Sequence, residues 1–241
     1  MDVPLEVFAR AFSQIRSRAY PVVPRLQDGV WILADTPHRP KARAAELITA
    51  TADPELILRV GESIPANRWS LALAVPVHQS LESAARLFKG HGWRRFSTEP
   101  FFTLEPAQAT LCFGHDVRRI DSLDMVLHIQ KISKAKHIEL EHVGVPDAPN
   151  RLYACFLEGE PVGWVSSLRI GGLGTWVSNL FVQHRHRSQG IGAALMSALL
   201  QDNPDSLSVL AASSDGARLY PKLGYHRIAD LILFRPPGYG R

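Results

Sequence analysis

The second half of the chain carries the plainer hydrophobic pattern. "RLYACFL" (151–157) is apolar at consecutive positions, as a strand covered on both faces should be. "EGEP" is a turn signal, "VGWVSSLRI" a second strand, "GGLG" a second turn and "TWVSNLFV" a third strand. Turns this short join antiparallel neighbours, so the pattern predicts a three-stranded meander. The period then becomes helical. Ile191, Leu195, Ala198 and Leu199 fall on one stripe of a helix that starts near Gln189 or Gly190 and stops at "QDNPD". "SLSVLAA" is a further strand. "SDGARLYPKLGY" reads as a short helix, capped by Ser214 or Asp215, ended by Gly224 and kinked or cut short by Pro221. "RIADLILF" is a last strand.

Upstream, "LDMVLHIQKISK" places Met125, Ile129 and Ile132 on one helical face, and "HVGVPDAPN" is a loop. Strands and helices in this order predict a mixed α/β layer structure. "EPAQAT" (105–110) marks a boundary, giving an N-terminal domain of residues 1–105 and a C-terminal domain of residues 106–241. The N-terminal domain looks like a worn copy of the C-terminal one. "LESAARLFKGHGWRR" (81–95) echoes "SDGARLYPKLGYHR" (214–227), each after an apolar strand, "SLALAV" or "SLSVLA". More faintly, "VWILADTPHRPKARAAELI" (30–48) echoes "WVSNLFVQHRHRSQGIGAALM" (176–196). Ala42 and Ala44 stand for Gly190 and Gly192, and Phe88 for Tyr220, as if the N-terminal domain kept the shell and lost the chemistry.

Composition changes this picture little. Of 241 residues, 46% are hydrophobic and 21% charged, ordinary globular values. No run approaches the roughly 20 apolar residues of a membrane span. The N-terminus lacks the pattern of a secretion signal, so a cytosolic protein is expected. Cys112 and Cys155 are the only cysteines, and Cys155 reads as a buried core residue rather than a nucleophile. A net charge of +4 is compatible with an anionic ligand. No Lys/Arg block or aromatic platform suggests nucleic acid.

The chemistry concentrates in "QHRHRSQGIGAALM". Helix N-termini leave amides unpaired and carry partial positive charge, so anions bind there. Glycines let a phosphate approach such amides closely. Strand, basic turn, "RSQGIG" and helix thus read as a pyrophosphate cradle, without the third glycine of a dinucleotide fingerprint or a Walker lysine. His184 and His186 lack Cys or carboxylate partners at ligand spacing, so no metal site is expected.

"NLFVQHRHRSQGIGAALM" resembles motif A of the GNAT N-acetyltransferase superfamily, [RQ]-x-x-G-x-[GA], at every fixed position from Arg187 to Gly192. "SDGARLYPKLGY" resembles the motif that follows, through Ala217, Leu219, Tyr220, Gly224 and Tyr225, with Ser214 where the family often has Asn. The resemblance covers residues 106–241. It implies a GNAT fold with splayed central strands, and acetyl-CoA or another acyl-CoA as acyl donor. It puts the pantetheine along the backbone of Leu180, Phe181 and Val182. The pyrophosphate falls on the amides of Arg187, Ser188, Gln189, Gly190, Ile191, Gly192 and Ala193, with Ser214 as a further contact.

Amine acylation needs a neutral amine, a donor to the developing oxyanion and a proton for the leaving thiolate. The resemblance implies a backbone N–H at a bulge near Asn179 to Phe181 for the oxyanion and Tyr220 for the thiolate. The general base is not readable. The strands offer Ser178 and Asn179 but no carboxylate, while Glu158 and Glu160 sit at a hairpin tip. His184 and His186 suit steering better than base work. By resemblance the acceptor site falls within about 118–150, including His137, Glu139, Glu141 and His142. "HIELEH" reads either as a pocket wall for a cation or, more commonly, as an exposed polar loop. The acceptor is expected to be a small-molecule or protein amine. The N-terminal domain is expected to cover one pocket wall or to mediate homodimer contacts. The competing reading is a non-catalytic acyl-CoA-binding module, which could dispense with Tyr220.

Overall fold

A computed structural model describes residues 1–16, 23–34, 45–64 and 68–239. In chain order the elements are α1 (Asp2–Arg16), β1 (Arg25–Gln27), β2 (Val30–Leu33), β3 (Ala45–Thr49), α2 (Pro54–Glu62), β4 (Trp69–Pro76), α3 (Leu81–Gly90) and β5 (Arg94–Leu104). They continue with β6 (Asp116–Arg119), α4 (Leu123–Ser133), β7 (Asn150–Leu157), β8 (Glu160–Ile170), β9 (Gly174–Val182), α5 (Ile191–Gln201), β10 (Ser208–Ala211) and β11 (His226–Arg235). The mixed α/β class expected from the sequence is the one observed. No described helix is long and apolar enough to cross a membrane.

The chain divides into two compact units, one of residues 1–102, 211–215 and 227–241, the other of residues 103–210 and 216–226. In the first unit the strand order is β1-β2-β3-β4-β11-β5. β3 and β4 run parallel, and β4 and β11 antiparallel. Its core gathers Leu47, Ile57, Leu71 and Leu73 with an aromatic cluster in which Phe88 stacks on Phe234 at 4.8 Å and Trp93 meets both edge-on. Helix α2 starts on Asp53, whose carboxylate accepts from the amides of Glu55 and Leu56, and α3 starts on Ser80.

In the second unit the order is β10-β9-β8-β7-β6. The expected meander is β7, β8 and β9, antiparallel throughout. Helix α5 buries Ile191, Ala194, Leu195, Met196, Leu199 and Leu200. The face is wider than the predicted stripe because the helix is apolar nearly all round, and Ala198 lies at its margin. The far end of α5 is tied to β7: the Tyr153 hydroxyl donates to the Asp202 carboxylate at 2.9 Å, and the buried Arg151 donates to the Asp202 carbonyl at 3.1 Å. Helix α4 is confirmed, but it buries Val126 and Ile129 while Ile132 is exposed and Met125 half-buried. Leu123, Leu127 and Ile132 spread apolar side chains round this short helix, so periodicity alone misassigned its face.

The segment 214–225 is not an α-helix. It forms two 3-10 turns, Gly216–Arg218 and Tyr220–Leu223, after a turn holding Ser214 and Asp215. Pro221 sits in the first turn of the second piece, where its missing N–H costs nothing, but it cannot continue an α-helix begun upstream. The stronger of the two sequence echoes therefore pairs an α-helix, α3, with these turns. Of the fainter echo, Ala42 and Ala44 lie outside the described residues. Gly224 closes the segment at φ +93°, and a Cβ there would lie 2.2 Å from the Gln108 carbonyl oxygen. Gly224→Ala is expected to cost about 3 kcal/mol, from left-handed backbone strain and overpacking together, read as a lowered midpoint in urea unfolding.

Candidate functional site

The site begins with a fault in the meander. Ser166 pairs with Ser178 and Trp164 with Phe181, so β9 carries one residue more than β8 between those pairs. The extra residue is accommodated at Asn179, whose φ is +57°. Asn tolerates this left-handed region better than most residues, which is why the sequence can bulge there. The Gln183 amide donates to the Val162 carbonyl at 2.9 Å. Strand alternation then turns Phe181 toward β8, and Leu180 and Val182 toward the opposite edge. Of the three backbone positions expected to receive a ligand arm, Phe181 is paired in register with Trp164 of β8.

That opposite edge is open. β10 pairs with β9 only at Ser208–Thr175 and Val209–Trp176. Beyond Trp176, β9 has no strand partner on that side among the described residues. The Val182 carbonyl instead accepts a hydrogen bond from Arg187 Nε at 3.1 Å. Arg187 is therefore held against the strand end rather than projecting freely into solvent.

After β9 the chain makes a 3-10 turn, His184–His186, and reaches α5. The Arg187 amide donates to the His184 carbonyl at 3.2 Å, so it is already used, and the available amides start at Ser188. Ser188 has φ +61° and Gly190 φ +84°. Gly190 is the N-cap residue of α5, and no side chain caps the helix. The first intrahelical bond runs from the Ala194 amide to the Gly190 carbonyl at 3.0 Å. The amides of Ile191, Gly192 and Ala193 precede it and have no intrahelical acceptor. His115 Nε2 lies 2.9 Å from the Gln189 carbonyl and braces the turn. The two glycines also have reasons that need no ligand. Gly190 answers a left-handed backbone, and a Cβ on Gly192 would lie 3.3 Å from Leu219.

Tyr220 is buried, 6% exposed, and its ring meets Tyr225 edge-on at 5.6 Å. Burial pushes its phenol up to about 12. The Tyr225 hydroxyl lies 2.6 Å from Ser208 Oγ. Ser214 is exposed in its turn and belongs to the first compact unit. Cys155 is fully buried, and burial raises its thiol, which fits the core role expected of it. His184 is exposed and His186 half-buried, with Arg185 Nε 3.0 Å from His186 Nε2.

Beside the bulge lies a cavity of about 450 Å³. Ile132, Ser133, Ala135 and His137 form one wall, from the end of α4 and the loop after it. Trp164 and the stretch Asn179, Leu180, Phe181 and Gln183 form the other. Trp164 and Phe181 stack at 4.8 Å. Tyr220 does not contribute to this lining. The first wall falls inside the 118–150 stretch expected by resemblance, but of its residues only His137 is named for the site from the sequence. Ser133 and His137 stand one helical turn apart in spacing, a signal that could have paired them.

The segment 137–142 is not simply an exposed loop. His137 and Ile138 are buried, Glu139 and His142 half-buried, and Glu141 exposed. His137 Nε2 lies 2.6 Å from Ser133 Oγ, and Nδ1 is buried without a hydrogen-bond partner. An unpaired N–H there would be costly, so the neutral tautomer with its proton on Nε2 is favoured. Glu139 turns away into an ion pair with Lys136 at 2.5 Å. Burial lowers the His137 pKa.

Residues 148–227 match a protein-family model described as the acetyltransferase (GNAT) domain. A GCN5-related N-acetyltransferase from Kribbella flavida is similar at TM-score 0.67 and 20% identity, over 98% of this chain and 96% of that one. A GCN5-related N-acetyltransferase from Sphaerobacter thermophilus is similar at TM-score 0.56 and 16% identity, over 88% and 78%. A tandem GNAT protein from the clavulanic acid biosynthesis pathway is similar at TM-score 0.50 and 12% identity, over 97% and 93%. A search of curated proteins gives no match. The fold is that of these GNAT structures, and the stretch similar to the GNAT family model is residues 148–227.

An NMR titration should find the His137 ring changing charge below the ~6.5 of a free imidazole. Folding holds the ring neutral. Stability linked to it is therefore complete above that reference value and is lost as the pH falls through the lowered one. A His137→Asn variant should lose that acid-side dependence in unfolding measurements made across the same pH range.

Proposed function

We propose that the protein moves an acetyl group from acetyl-CoA directly to a primary amine. The observation that carries this reading is the junction of β9 and α5, an open strand edge running into an uncapped helix N-terminus. Acetyl-CoA supplies an activated thioester. Leu180 and Val182 offer main-chain groups to its amide-bearing arm, with Phe181 contributing its ring to the adjoining wall. Ser188, Gln189, Gly190, Ile191, Gly192 and Ala193 offer amides to the diphosphate, and Arg187 adds charge. The Leu180 N–H, next to the bulge, is assigned the donation to the thioester oxygen as charge develops.

Tyr220 is assigned the proton for the leaving thiolate. Its raised pKa keeps it protonated at neutral pH but also makes it a weaker acid. We assign catalysis to residues 106–241 and read residues 1–105 as a degenerate copy. The similarity in fold to a protein described as a tandem GNAT protein is compatible with two GNAT-like parts. The setting proposed is cytosolic, with both cysteines as free thiols.

A second reading, a non-catalytic acyl-CoA-binding module, draws on the burial of Tyr220 and its absence from the cavity wall. Free-thiol release from acetyl-CoA with a panel of amines separates the two. Release above the hydrolytic background supports transfer. Binding of coenzyme A without release supports the module. In the enzyme, Tyr220→Phe should lower kcat by roughly 100-fold, the usual scale of a lost general acid, with coenzyme A affinity by calorimetry unchanged. Wild-type turnover in that variant removes the role.

A further inference from the structure

The cavity beside the bulge has walls that can be read for charge, and this reading rests on the acetyl-transfer function proposed above. None of its lining residues is Asp or Glu. His137, the one titratable group in the wall, has its charged form disfavoured by burial. The remaining polar groups are neutral: Ser133, Asn179 and Gln183. The body of the cavity is apolar, with the Trp164–Phe181 stack on one side and Ile132 and Ala135 on the other.

The chain segment that supplies one wall is basic. Lys131, Lys134 and Lys136 interleave in sequence with the wall residues 132, 133, 135 and 137, and all three are exposed. Lys136 is neutralised by Glu139. Lys131 and Lys134 form no ion pair among the described residues.

These facts restrict what can enter. A single ammonium entering a wall without counter-charge is driven to lose its proton, since desolvation disfavours the charged form. That is the state an attacking amine needs. A polyamine would have to discharge several groups or bury them unpaired, which is costly. It would also pass two unneutralised lysines. An anionic group on the substrate would instead meet them favourably, most strongly at low salt.

We propose that the acceptor is a small amine with one amino group, an apolar or aromatic body seated against Trp164 and Phe181, and one anionic group drawn by the field of Lys131 and Lys134 on the adjoining segment. An aromatic α-amino acid has this chemistry. Polyamines, aminoglycosides and lysine-rich peptides do not.

The test compares phenylalanine, phenethylamine (the same body without its carboxylate), spermidine and a lysine-rich peptide as acceptors at saturating acetyl-CoA. Phenylalanine should have a kcat/KM about tenfold above phenethylamine and at least a hundredfold above spermidine and the peptide. Lys131→Glu/Lys134→Glu, a surface change, should abolish the preference for phenylalanine over phenethylamine without altering the KM for acetyl-CoA. Ala135→Glu should shift the preference toward cationic amines. Saturation-transfer NMR with phenylalanine reads occupancy of the cavity without any turnover.

Spermidine or the peptide as best acceptor overturns this inference and leaves acetyl transfer standing. No thiol release with any amine overturns acetyl transfer. In that case phenylalanine binding that weakens in the double lysine variant still upholds the charge preference of the cavity, and no binding overturns it.

Discussion

Helix α5 starts with amides that its own side chains do not satisfy. A Ser, Thr, Asp or Asn at the N-cap would have folded back to accept from them. Gly190 stands there instead, in a left-handed conformation, and the turn before it is braced by His115 and by Arg187 bound to the Val182 carbonyl. Leaving these donors without a side-chain cap is the constraint around which the second unit is arranged. Burial of Ile191, Leu195 and Leu199 fixes the helix, and the ties from Tyr153 and Arg151 to Asp202 hold its other end. The uncapped amides therefore belong to a helix start that is packed at both ends.

Magnitudes show why that end does not act alone. An anion at a helix N-terminus gains about 0.3–1 kcal/mol at an exposed site and up to ~2 kcal/mol when partly buried. This is well short of micromolar binding, about 8 kcal/mol. The remainder has to come from elsewhere. The open edge of β9 offers strand-type hydrogen bonds at about 1 kcal/mol net each, and apolar surface lies alongside. The bulge at Asn179 matters because it interrupts the regular ladder, which resumes at Phe181, beside the open edge. Edge, bulge and helix start follow one another within a single run of chain, so their relative placement is set locally.

Much of this was legible in the sequence. The meander and α5 were readable because period-two and helical patterns are strong where one face is buried. The glycine pair located the helix start because glycine at such positions is a backbone statement. The bulge was expected near Asn179 only through resemblance, since one extra residue in a strand leaves no compositional trace. The 214–225 segment was read as helical from its apolar spacing, and Pro221 decided otherwise. The buried His137 was hidden in a polar-looking run, because burial of one imidazole depends on tertiary neighbours such as Trp164, 5.9 Å away between ring centroids. Val182 and Arg187 illustrate the same limit. Their mutual hydrogen bond occupies a carbonyl that the strand alone would leave open.

Hydrogen–deuterium exchange with and without coenzyme A tests the central claim most directly. The account predicts slowed exchange at the amides of 188–193 and at Leu180 and Val182, with exchange in α4 unchanged. Unaltered exchange at 188–193 in protein saturated with coenzyme A would contradict it.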